Sequence, residues 1–246
     1  SMYTHDVSGN GSYANALQNT AYGFTALDAI STGDYNTALG YGAGGAINTG
    51  QFNAAAGYKA LLTLSSGEKN TAFGAFSLAN VASGSYNTSL GYNALGAANG
   101  SESKNVAVGY EALSALDSAT ADNLNVAVGY EAGKAVTTGT HNTLVGATAG
   151  LLIGTGAQNT IVGSLAGDGL TTGSDNAVLG YAALSAANAG NRSVAIGSSA
   201  LNAQNAGSAG QNMYNIGIGY NAGGSVTTGV ENTIIGGRAG DALTTG

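Results

Sequence analysis

One five-residue motif recurs at a nearly fixed distance along this chain, and that periodicity restricts the fold more than any other feature. The motif stands as Asn36-Thr37-Ala38-Leu39-Gly40 and Asn70-Thr71-Ala72-Phe73-Gly74, then as Asn105-Val106-Ala107-Val108-Gly109, Asn142-Thr143-Leu144-Val145-Gly146 and Asn232-Thr233-Ile234-Ile235-Gly236. Its closing glycines fall at 23, 40, 57, 74, 91, 109, 129, 146, 163, 180, 197, 219 and 236, so nine of the twelve steps are 17 residues and the other three are 18, 20 and 22. Self-similarity at a fixed period marks a stack of like units, each burying its apolar face against the next.

Counting each unit from its Asn as position 1, position 4 is a larger apolar residue nearly everywhere, with Ala56 the weak case. Position 8 is Ala in every unit but the one carrying Ser77, and position 12 is apolar except at Gln204. Position 15 is Gly in eleven units. Helical repeats are excluded, because a helix needs apolar residues at i, i+3, i+4 and i+7 and tolerates several Gly per unit poorly. Positions 2, 4 and 6 instead alternate as Thr or Val, large apolar and Tyr, which is the pattern of a strand face. The expected fold is therefore all-β: a parallel β-roll solenoid of about thirteen 17-residue coils. Each coil is expected to hold two facing strands, with turns at the Asn of position 1 and the Gly of position 15, where φ can become positive. Residues 19–246 form this roll, and residues 1–18 are expected to be a cap or partial repeat that starts on an expression remnant, Ser1-Met2.

Stacking turns every position into a column. Asn36, Asn70, Asn87, Asn105, Asn125, Asn142, Asn159 and Asn176 are expected to hydrogen-bond along the stack as an Asn ladder. Gly40, Gly74, Gly109, Gly146 and Gly180 belong to the closing glycine column. Position 3 is also mostly apolar (Ala38, Leu144, Ile161, Val178, Ile234), although it points away from position 4. Strands apolar on both faces are covered on both faces, and so thin a coil encloses only one. The other face is expected to pack on neighbouring copies around a symmetry axis, as an intertwined or side-by-side homotrimer.

Composition narrows the function. The 246 residues contain no Cys, no Pro and two His, which removes disulfide, thiolate and ordinary zinc chemistry. With six Lys and Arg against thirteen Asp and Glu, net charge −7, the chain has too few cations to neutralise a phosphate backbone, so no nucleic-acid partner is expected. No apolar run approaches the ~18 residues of a membrane span, and the first residues lack a signal-peptide pattern. No membrane contact, metal or cofactor is expected. Gly42-Ala43-Gly44-Gly45 lies inside the repeat without a strand-to-helix context, which excludes a phosphate-binding loop.

Three groups of residues are candidates for a site. Glu111 and Glu131 share position 7 in GYEA segments of consecutive units, a placement suited to a glycosidase carboxylate pair or a cation, or simply to two solvated turn residues. Tyr92, Tyr110 and Tyr130, and separately Tyr41 and Tyr58, are position-6 runs that could hold a sugar or a protein, or could support the sheet by neighbour packing. The long units place inserts at 114–123, with Asp117 and Asp122, and at 201–214, with Gln204, Asn205 and Gln211. Inserts in repeat proteins map to loops that often bind, though they are also tolerated slack. His5 and His141 are lone residues, and the partial Thr column at position 2 is too interrupted for an ice-binding face.

Ser193-Val194-Ala195-Ile196-Gly197-Ser198-Ser199-Ala200 resembles the head repeat of YadA-like trimeric autotransporter adhesins, and the segments NTALGYGAG at 36–44 and NVAVGYEAG at 125–133 are similar variants. Related units occur in phage tail fibres. The resemblance runs from about Asn19 to the last residue, although its usual unit is shorter than 17. It implies a left-handed parallel β-roll wound with two other copies and an extracellular role on a bacterial surface. There it would be an adhesin head or fibre segment, without catalysis, attaching to a host-surface protein, matrix or glycan. Alternatives are a segment of a virion or injection-system tail fibre that binds a receptor, or a fibre-borne glycan depolymerase. The neck, coiled-coil stalk and anchor of the adhesins are not in the sequence, and its ending on Thr244-Thr245-Gly246, short of a next unit, is expected of an excised fragment.

Overall fold

The computed structural model describes the backbone of residues 4–5 and residues 16–98, 100–118, 122–186 and 188–245. Ser1-Met2, most of the expected cap and residues 119–121 of the first insert lie outside the described residues. The chain divides into two compact units, 1–124 and 125–246. Each is a β-solenoid, and together they contribute thirteen parallel three-residue strands without a helix among the described residues.

In the first unit, β1 (Thr4–His5) runs antiparallel to β2 (Thr20–Tyr22), pairing Thr4 with Tyr22. It covers the edge of that strand, which would otherwise offer unpaired backbone groups. From β2 the chain stacks β3 (Thr37–Leu39), β4 (Ala54–Ala56), β5 (Thr71–Phe73), β6 (Thr88–Leu90) and β7 (Val106–Val108) in parallel. The second unit does the same with β8 (Val126–Val128), β9 (Thr143–Val145), β10 (Thr160–Val162), β11 (Ala177–Leu179), β12 (Val194–Ile196), β13 (Ile216–Ile218) and β14 (Thr233–Ile235). Like positions pair with like throughout. The 22-residue step still places Val194 beside Ile216 and Ile196 beside Ile218, so its extra residues are absorbed outside the strands.

Among the described residues each coil has one strand, not the two expected. The return half is a run of turns held by left-handed residues at positions 7, 9 and 17, and 32 of the described non-glycine residues take φ between 48° and 62°. These include Lys59, Leu61 and Lys69 in one coil. Their backbone groups still bond from coil to coil: Leu27 N–H donates to the Ala43 carbonyl at 3.1 Å, Lys59 N–H to Tyr41 at 2.8 Å and Phe52 N–H to Asp34 at 3.1 Å. The half without a strand is stitched to its neighbours as a strand would be, on a contracted backbone.

The expected positive φ at Asn of position 1 and Gly of position 15 is absent among the described residues. Asn36 and Gly50 are outside the left-handed set, and position 15 is Gly for want of space: a Cβ on Gly139 would lie 3.1 Å from Asn142 Nδ2 and against the Gly156 carbonyl. At position 5 both reasons act. Gly40 has φ +132° and its Cβ would lie 2.5 Å from the Gly57 carbonyl oxygen, while Gly146 has φ +138° and would meet Gly163 at 2.5 Å.

Exposure alternates strictly through the strand, and it puts position 3 inside and position 4 outside. Ala38, Leu144 and Ile161 are buried, whereas Leu39, Phe73 and Ile235 are exposed. Positions 8, 9 and 12 complete an interior about one side chain wide. Where position 3 is Leu144, Ile161 or Ile234, position 9 is Gly: a Cβ on Gly150 would sit 2.9 Å from Leu144 Cδ2 and 2.7 Å from Ile153 Cδ1. Ala72 and Ala107 at position 3 are instead matched by buried Leu78 and Leu113 at position 9. The serines at positions 3 and 8 compensate each other, with Ser77 Oγ donating to Ser89 Oγ at 2.7 Å.

Gly146→Ala is expected to cost about 2–5 kcal/mol, combining a forbidden φ with overpacking. Gly237→Ala, with nothing within 4 Å of the added carbon, is expected to leave urea denaturation unchanged.

Candidate functional site

The Asn column is internal. Asn70 is buried; its Oδ1 accepts from Asn87 N–H at 3.0 Å and from Asn87 Nδ2 at 3.1 Å, while its own Nδ2 donates to the Gly84 carbonyl at 2.8 Å. Asn36, Asn53, Asn87 and Asn105 continue this pattern in the first unit, and Asn125, Asn142, Asn159 and Asn176 carry it in the second. The expected ladder thus exists as a fully bonded core element. It breaks at Ser193, and there Gln204 completes it: Gln204 Nε2 donates to Ser193 Oγ at 2.9 Å, and Gln204 Oε1 accepts from Asn215 Nδ2 at 2.8 Å. Gln204 is fully buried. Its assignment to an exposed binding loop is therefore corrected, for the lone polar residue at position 12 replaces an Asn missing from position 1.

The insert that follows is tied to the coil. Met213 is buried against Ala189 and Ala206, Asn205 is exposed, and the half-buried Gln211 accepts Gly207 N–H at 3.0 Å. Beside it Arg192 donates to the Tyr214 hydroxyl at 3.1 Å and lies 3.4 Å from Asp175. Those contacts, the tyrosine's above all, hold the guanidinium above its usual pKa.

The first insert is organised around a residue its candidates did not include. Glu102 is buried, and its carboxylate accepts Gly100 N–H at 2.9 Å and Ser118 N–H at 3.0 Å, spanning two coils. Its own carbonyl takes the Asn87 Nδ2 bond that a position-15 glycine takes elsewhere. The signal was Glu in an 18-residue unit where the column calls for Gly. Asp117 is exposed, and Asp122 is paired with Lys104 at 2.6 Å.

Glu111 lies in the first unit and Glu131 in the second. Both are partly buried, and Glu131 Oε1 accepts from Lys134 at 2.8 Å. Among the described residues no group of three or more His, Asp and Glu is placed to hold a metal ion.

The outer face of the strands is exposed and carries Thr, large apolar and aromatic side chains. In the first unit, positions 17, 2, 4 and 6 are exposed side by side, as in Tyr35, Thr37, Leu39 and Tyr41. Small residues in one coil leave a hollow of about 140 Å³ lined by Leu39, Ala54, Ala56 and Phe73. Along one edge of this face runs a ladder of rings. Phe24, Tyr41 and Tyr58 stack at 5.8 and 5.4 Å, and Tyr92 stacks on Tyr110 at 5.5 Å. Phe76 joins the two groups edge-on, 5.2 Å from Tyr58 and 6.0 Å from Tyr92. The separate tyrosine runs expected from position 6 are thus one six-ring ladder, because the residue after Ala75 supplies the ring that Ala75 lacks. Tyr130 is an exposed ring of the second unit. The other edge, at position 17, mixes rings and cations: Tyr35 stacks on Phe52 at 4.8 Å, and Lys69 Nζ lies 5.0 Å from the centre of Tyr86.

Compared with family models, curated proteins and solved structures, the chain matches none.

Gln204→Ala is expected to cost about 1–3 kcal/mol by stripping partners from buried polar atoms. The double change Ser193→Asn with Gln204→Leu, which restores the repeat at both positions, should recover most of that loss in thermal melts. Glu102→Ala is expected to lower stability by about 2–4 kcal/mol, since two backbone donors lose a charged acceptor, and Glu102→Gln by less.

Proposed function

We propose that this chain is a non-catalytic binding segment of an extracellular fibre or adhesin head, assembled from three copies. The observation that carries the reading is the uncovered outer face of the parallel strands. Parallel sheets occur almost only with both faces covered; here the coil covers one, and the other presents Leu39, Phe73 and Leu90 in the first unit and, separately, Leu179 and Ile235 in the second, at 44–65% exposure. Large apolar patches of this kind mark association surfaces. A homotrimer would cover that face from the same residues in each copy and leave the turns and strand edges for a host-surface protein, matrix or glycan. The likeness of 193–200, 36–44 and 125–133 to adhesin head repeats supports the same reading, and the occurrence of related units in phage tail fibres keeps a fibre of either origin within it.

Light scattering of the purified chain is expected to give three times the 23.8 kDa chain mass, and a stable monomer would overturn the assembly. Leu39→Asp with Phe73→Asp should shift the mass towards the monomer while leaving the fold's circular dichroism intact. Replacing Glu111 and Glu131 with Ala is expected to change nothing on a glycan panel; loss of a glycan-cleaving activity would overturn the binding-only reading.

A further inference from the structure

The ring ladder of the first unit is more than a support for the sheet. The second unit keeps the same coil with Ala147, Ser164 and Ser198 at position 6, and its Tyr130, Tyr181 and Tyr220 are spread several coils apart. The backbone therefore does not need a ring there. In the first unit the ring is retained even when its position shifts, from Ala75 to Phe76. Continuity of rings, not occupancy of a position, is what the unit preserves. Five of the six, Phe24, Tyr41, Tyr58, Tyr92 and Tyr110, are 42–63% exposed and so open to a ligand.

We infer that this ladder is a binding track for a neutral, extended, β-linked polysaccharide lying along the stack. The inference rests on the reading of the chain as a binding segment and names its ligand. Ring centres are 5.2–6.0 Å apart, one ring per coil. A ligand that uses them all must repeat at the same interval, and one pyranose of an extended β-linked chain advances by about the rise of one coil. An extended peptide presents same-face side chains every ~6.6 Å and slips out of step within a few rings. Stacked rings cover each other's faces and leave edges and tyrosine hydroxyls outward. The edges offer apolar area to the axial C–H groups of a sugar, and the hydroxyls can donate to or accept from its O–H groups. Six Lys and Arg and a net charge of −7 disfavour a polyanion.

Titration calorimetry of the full chain with β-1,4-linked glucose and N-acetylglucosamine oligomers tests this, with light scattering on the same samples. Affinity is expected to rise with each added sugar from disaccharide to hexasaccharide. Tyr58→Ala and Phe76→Ala, in the middle of the ladder, should each weaken hexasaccharide binding by about three- to tenfold. Tyr181→Ala, an isolated ring, should leave it unchanged, and α-1,4-linked glucose oligomers, which coil, should not bind. Absence of binding, affinity independent of length, or ladder variants that bind like the parent would overturn the inference. So would ladder variants that change the particle mass, since the ladder would then be a self-association surface. A monomeric chain whose sugar binding still follows the ladder would support the track and overturn only the trimer.

Discussion

Backbone bonding between successive coils is the constraint on which everything else in the structure depends. A left-handed φ costs a residue with a side chain about 1–2 kcal/mol, and this fold demands it at three positions in every coil. The demand is met because the same three positions donate N–H groups to the coil above or below: Leu27 at position 9, Lys59 at position 7 and Phe52 at position 17. At position 9 a second term offsets the strain, since fully burying a leucine contributes about 1.5–3 kcal/mol and Leu61, Leu78 and Leu113 are completely buried. The coil is therefore stable only in a stack, and the period must stay close to 17 for donors to meet acceptors. Longer steps survive because their extra residues leave the line at turns, where Met213 or Glu102 reattaches them.

The period, the parallel stacking and the Asn ladder were legible in the sequence because each rests on residue types with one dominant use. Asn both donates and accepts along a stack; the glycine columns were legible as columns, but lack of room at position 15 was not, because Gly reads first as freedom of φ. The number of strands and the facing of position 4 were not legible. Left-handed conformation is normally read from Gly, Asn or Asp, and here Tyr35, Lys69, His141 and Arg192 carry it. Nothing in those side chains prefers it; neighbouring coils impose it. Once positions 7 and 9 are left-handed the return half contracts, and position 3, with its smaller residues, is the one that fits the narrow interior.

The candidate site was partly legible for a related reason. Columns can be read by comparing units position by position, whereas compensation shows only where two departures from the repeat meet in space. Ser77 and Ser89 are isolated irregularities until stacking brings their hydroxyls to 2.7 Å. Ser193 and Gln204 are likewise one substitution spread over eleven residues of one coil. Ala75 and Phe76 are a third case, where the column is broken and the ladder is not. In each, the departure from the repeat has its explanation in a second departure nearby in space.

This division of labour explains how so uniform a coil can carry a specific surface. Interior positions 1, 3, 8, 9 and 12 and the glycine columns are tied to neighbours above and below, so a change at one requires an answering change at another. Positions 17, 2, 4 and 6 face outward and answer to nothing in the interior. The first unit places Tyr35, Phe52, Phe73 and Tyr92 there; the second places Gln158, Asp175, Val162 and Ser164 on the same kind of backbone. Because consecutive coils repeat at a constant rise, any side chain chosen at an outer position is displayed as an evenly spaced row. A surface built this way matches a periodic line in geometry, and lengthens by adding coils without reshaping a pocket.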